Sequence, residues 1–165
     1  MRRGATGVVL ALVGLAAACS GDASTVVPEG FASRVAVVTA PDGSGVVEHC
    51  LWIADTPERR ARGLMGVTEL GPAVGMAFVN DAPTTGRFWM KDTSIPLSIA
   101  FFDQAGVHLG AVDMEPCTAA DPADCPRYDT PSGYTVALEV PLGTAEGLGL
   151  VPGSSVGITD RPCDD

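Results

Sequence analysis

The sequence predicts a mainly β protein, a single compact antiparallel β-sandwich or barrel-like domain with one or two short helices. Three observations carry this expectation. From Arg34 onward the apolar residues fall in short runs, alternating or continuous, cut by Gly, Pro and Asp. The 20 glycines and 13 prolines supply turns at the spacing such a domain needs. No heptad pattern, internal repeat or second long apolar segment competes with that reading.

Taken in order, strands are expected at 34–39, 46–54, 75–79, 86–91, 97–102, 107–114, 135–140 and 155–159. Asp42-Gly43 marks a tight turn between the first two, and the D-Q-A-G run Asp103 to Gly106 marks a hairpin. One short helix is well signalled, with Thr56 as N-cap, Pro57 at its first position, Glu58 in the first turn, arginines following and a stop at Gly63. A second helical turn is expected over Thr144 to Leu148, also behind a threonine cap. The proline-rich stretch 115–133 reads as a long surface or functional loop.

The front of the chain has a different character. Arg2 and Arg3 precede an apolar run from Val8 to Leu15, too short to span a bilayer, and the run closes on three alanines and Cys19. Residues 1–18 are therefore expected to be a signal peptide, with Cys19 the site of lipidation; ordinary cleavage after Ala18 is the alternative. Residues 19–32 read as a flexible tether, and the domain is placed at 33–163. The expected location is the extracytoplasmic face of the cell membrane, held by a lipid anchor.

That address makes sense of the remaining cysteines. Cys50, Cys117, Cys125 and Cys163 are even in number, and an oxidising compartment points to disulfides. The turn chemistry around Pro122 and Pro126 favours Cys117 with Cys125, leaving Cys50 with Cys163. A zinc or redox site is disfavoured, since the four cysteines form no CxxC pair. The chain carries a formal charge of −10, and losing Arg2 and Arg3 would take it to −12. Nucleic acid is a poor partner for such a surface.

Several runs together resemble the family known as domain of unknown function 192. They are R-x-x-G-L-M at Arg60 to Met65, G-M-x-F at Gly75 to Phe78, F-W-M-K-D-T-x-I-P-L at Phe88 to Leu97, A-L-E-V-x-x-G at Ala137 to Gly143, and G-x-x-V at Gly153 to Val156. The resemblance implies a compact, mainly antiparallel β-sandwich or barrel and no assigned activity. Asp92, Ser98, Val67 and Ser154 stand where the family commonly has Asn, Asp, Arg and Asp.

Candidate chemistry centres on a few side chains. Lys91 is the chain's single lysine, and strand alternation would put it on one face with Trp89, forming an aromatic-walled anion anchor beside Asp92. Glu139 follows Ala137-Leu138 inside an apolar strand, where burial would raise its pKa; pairing with Arg60 is the structural alternative. Trp89, Lys91, Asp92, Arg60 and Glu139 are thus the candidate binding residues. No catalytic set, resident cofactor or metal site is expected. The favoured function is a monomeric, non-catalytic binding or accessory module for a small molecule or an envelope protein. One alternative is a glycan-directed envelope enzyme using buried carboxylates. Another is a Cu(I)-handling protein using Met65, Met76, Met90 and Met114 with His49 or His108.

Overall fold

The structure, a computed structural model, describes Met1 and residues 28–163. Cys19 and nearly all of the expected signal peptide and tether lie outside the described residues. The domain is mainly β, with strands β1 (Ala32–Thr39), β2 (Val46–Ala54), β3 (Gly75–Thr84), β4 (Arg87–Phe88), β5 (Leu97–Phe102), β6 (His108–Met114), β7 (Tyr128–Asp129), β8 (Tyr134–Pro141) and β9 (Ser155–Ile158). Helix α1 covers Pro57–Arg62, and a single 3-10 turn covers Pro122–Asp124.

Seven strands form one sheet in the order β6-β5-β8-β3-β2-β1-β9. All neighbours are antiparallel except β2 and β3, which run parallel, so the sheet is mixed. A parallel pair requires a crossover, and here it is α1 with the 63–74 segment. The sheet curls until its edges meet: Val107 bridges Ser155, the His108 amide donates to the Ser154 carbonyl, and the Val156 amide donates to that of Gly106. Of the two expected shapes, the barrel-like one describes the curl.

Curling divides the apolar residues into two cores. The concave side holds Ala36, Val38, Leu51, Ile53, Phe102, Leu138 and Val140. The convex side of β3, β5 and β8 carries Met76, Phe78, Leu97, Ile99, Phe101 and Ala137, covered by Phe31, by Leu64 and Val67 after α1, and by the 89–97 and 115–128 loops. This explains why all six residues of β5 are buried, since both of its faces are packed.

Each signalled turn forms. The Thr56 hydroxyl accepts from the Arg59 amide, and the Gly63 amide closes α1 on the Arg59 carbonyl. The Asp103 carboxylate accepts from the amides of Ala105 and Val107, which fixes the hairpin between β5 and β6. Both expected disulfides are made, with Cα separations of 5.6 Å for Cys50–Cys163 and 5.7 Å for Cys117–Cys125. The first of them, together with Val35–Arg161 and Thr159–Val35 backbone bonds of 2.9 and 3.0 Å, lays the last described residues beside β1 and β2.

Two expectations change. The 144–148 stretch is a set of hydrogen-bonded turns rather than a helix, because the Thr144 hydroxyl bonds back to the Pro141 carbonyl and glycines flank the single turn of helical spacing. The strand expected at 86–91 shrinks to Arg87–Phe88, since the chain bends at Met90 to bond Thr93 and Cys117.

Candidate functional site

The convex core is not fully sealed. Between α1 and strands β3, β4 and β8, an open cleft of about 290 Å³ is lined by Arg60, Ala61, Phe78, Asn80, Thr84, Gly86, Arg87, Phe88, Trp89 and Tyr134. Adjoining it, with Arg60, Ala61, Phe78, Phe88 and Trp89 as shared walls, is an inner cavity of about 30 Å³, space for one or two waters. Glu139 lines that inner cavity, with Thr93, Arg62 and Leu64.

The local sequence explains the recess. Alternation along β8 sends Ala137 and Glu139 to the convex side and Leu138 and Val140 to the concave side. Gly75 faces Glu139 across the β3–β8 ladder: a Cβ there would stand 2.1 Å from the Glu139 carbonyl oxygen. Gly63, in the left-handed region at φ 47°, lets the chain leave α1 close over Phe78, where a Cβ would come within 3.1 Å of the ring. The aromatic wall is locked by edge-on contacts of Phe88 with Phe78 at 5.2 Å and with Phe101 at 5.8 Å.

Glu139 is 4% exposed, and its carboxyl has no hydrogen-bond or ion-pair partner among the described residues. Burial pushes its pKa up to about 8, so the group is a neutral acid at pH 7, able to donate as well as accept. The ion pair expected with Arg60 does not form. Arg60 instead spends Nη1 on the carbonyls of Asp55 and Val79, at 2.9 and 2.8 Å, which ties α1 to β3 and leaves Nε and Nη2 without a partner among the described residues. With no guanidinium paired to it and its carboxyl buried, Glu139 keeps its proton.

Of the five candidate binding residues, Arg60, Trp89 and Glu139 come together here; Lys91 and Asp92 do not. The Lys91 ammonium is spent on the Asp92 carboxylate at 2.5 Å and the Ala119 carbonyl at 3.0 Å, with 14% of its side chain exposed. It fastens the disulfide loop to the 91–93 turn and lines neither cavity. Strand alternation failed as a guide because β4 ends at Phe88. The cation over the Trp89 ring is Arg127, 3.6 Å from its centroid. Asp92 holds φ 55°, a left-handed conformation that Asp and Asn tolerate better than most side chains.

The other departures from the family pattern are structural. Val67 is core, Ser98 donates to Asp113 at 2.6 Å, and Ser154 accepts from the Val151 amide at 3.2 Å. Met76, Met90 and Met114 are buried in the convex core, whereas His49 and His108 belong to the concave side, beside Leu148 and Phe102. The thioethers and imidazoles proposed for copper are therefore on opposite faces of the sheet. Glu139 is the one carboxyl lining either cavity among the described residues, so the pair of acids that a glycosidase needs is not assembled there. Phe78, Tyr134, Arg87 and Arg127 were not singled out from sequence; the F-W-M-K run that begins at Phe88 was the one local signal pointing to this wall.

The class of protein these features define is a small curled β domain with one aromatic cleft ending on a buried acid. The DUF192 family profile, described as an uncharacterized ACR, matches residues 37–158, and the chain belongs to that family. No curated protein matches it. It is similar to a protein of unknown function from Novosphingobium aromaticivorans DSM 12444, with 30% identity and a TM-score of 0.62 over 82% of this chain and 94% of the other. It also shares its fold with a protein of Sinorhizobium meliloti 1021 provisionally described as a transcription regulator, at 24% identity and a TM-score of 0.67 over 78% and 95% of the two chains.

Proposed function

We propose that this chain is an exported, lipid-held binding module whose ligand site is the cleft between α1, β3 and Trp89. The observation that carries the reading is the unpartnered Glu139 carboxyl beneath an aromatic-walled opening. A hydrogen bond to a polar group is worth about 0.5–1.5 kcal/mol net, and the Glu139 carboxyl makes none to the described residues at the recess it lines. A small molecule reaching that recess would supply one. Mostly apolar walls with a few converging polar groups are the usual make-up of such sites.

Export is supported by Arg2-Arg3, the short Val8 to Leu15 run and Cys19, and by a domain closed by two disulfides. Lys91 and Asp92 drop out of the proposed site, because the Lys91 ammonium is already engaged by Asp92 and Ala119.

Two measurements test the reading. In cells, labelled palmitate should enter the full chain and be absent from Cys19→Ser; a protein labelled equally in both is not anchored at Cys19. In vitro, fragment-sized ligands found by NMR against the full chain should lose binding in Ala61→Trp, an exposed helix position whose new ring fills the cleft. Hits that bind this variant unchanged place the ligand site elsewhere.

A further inference from the structure

Three charged side chains face the two cavities besides Glu139, and all are arginines: Arg60 and Arg62 from α1, and Arg87 from β4. In a chain with twice as many acids as bases, a recess bordered by cations alone runs against the average of the surface. Two residues lining the inner cavity have polar groups with unspent capacity: Arg60 at Nε and Nη2, and Glu139 at its carboxyl. The remaining walls are Phe78, Phe88, Trp89 and Tyr134.

We infer that the cleft takes a small carboxylate with a flat or apolar body, its head group bound between the Arg60 guanidinium and the Glu139 carboxylic acid, and its body lying along Phe88 and Trp89 toward Arg87. This deepens the proposed function and rests on the cleft being the ligand site.

Each feature selects against the alternatives. A cationic ligand would enter beside Arg60 and Arg62 and meet no ionised acid among the lining residues. A phosphate, with four oxygens around its phosphorus, is too bulky for an inner cavity that holds about two waters. A planar carboxylate matches the guanidinium edge, and charge-assisted bonds of this kind are about twice as strong as neutral ones. The second contact needs a proton between two acids, which Glu139 supplies only while it is neutral; no carboxylate on α1, β3, β4 or the 89–93 loop faces it, and the charged groups that do are Arg60 and Arg62. Its pKa of about 8 keeps most of the group protonated at pH 7.

The test uses three single-ring probes, benzoate, benzamide and benzylamine, titrated into the full chain while the Trp89 indole and Arg60 Nε–H resonances are followed. Benzoate should shift both at about pH 6 and bind about 30-fold more weakly at about pH 9.5, where Glu139 has ionised. Glu139→Gln, which keeps a neutral donor, should bind benzoate at both pH values and remove that difference. Arg87→Gln, an exposed change at the mouth, should weaken benzoate severalfold and leave benzamide unchanged. Benzylamine or benzamide shifting these resonances while benzoate does not overturns the carboxylate assignment and leaves the cleft as the ligand site. No shift with any of the three overturns both readings.

Discussion

Replacing Glu139 by Gln should remove a loss of stability with rising pH that the native protein shows. The native acid holds its proton from an ordinary 4.5 up to about 8. In the unfolded chain the same group ionises near 4.5, so between these values the unfolded state carries fewer protons than the folded one. Stability from this group is then fully present below about pH 4.5 and is lost as pH rises through about 8. At about 1.36 kcal/mol per pH unit the loss reaches about 3 kcal/mol by pH 7 and about 5 kcal/mol at pH 9. Water entering the inner cavity solvates the carboxylate and makes these upper values.

His108 acts in the opposite sense, since burial lowers its pKa: its contribution is present above about 6.5 and fades as pH falls. The carboxylates of Asp42, Glu48, Asp55 and Glu58, all lowered chiefly by hydrogen bonds, lose their contributions only at more acid pH. These groups are common to both proteins and cancel in the difference. Urea unfolding of wild type and Glu139→Gln, disulfides intact, at pH 5, 7 and 9 measures it. The two should diverge as pH rises, the wild type falling. Curves that stay parallel across that range would falsify the claim that Glu139 is a neutral acid in the folded state.

Two further substitutions probe the frame around the cleft. Lys91→Met should cost about 1–3 kcal/mol through the lost bonds to Asp92 and Ala119, yet leave benzoate binding unchanged; a binding loss without a stability loss would return Lys91 to the site. Gly75→Ala drives a Cβ to within 2.1 Å of the Glu139 carbonyl, so the strands must separate. A loss of more than about 3 kcal/mol in denaturant is expected, and a variant of native stability would show that this ladder can yield.

Much of the frame was legible because its signals are local. Alternation and turn residues give the bounds of β2 and β5, and Thr56-Pro57 with Gly63 gives α1. Glu139 was legible as a buried acid because its own strand neighbours are apolar. What could not be read lies between distant segments. The parallel pairing of β2 with β3 depends on how 57–74 crosses, and the fate of Lys91 depends on the Ala119 carbonyl, 28 positions away. Arg127 reaches Trp89 only after the 117–125 bridge has folded its loop back. The 144–148 turns show the opposite failure, a convincing local cap whose hydroxyl found a nearer carbonyl.

The pairing of Val35 with Arg161 and Thr159, and of Cys50 with Cys163, has a topographic consequence. The last described residues lie alongside Val35, partway along β1 from where the chain enters, whereas the Asp42–Gly43 bend lies beyond the far end of that strand. A cargo joined after residue 163 would thus start on the half of the domain nearer its entry point. A label inserted at that bend would project away from it.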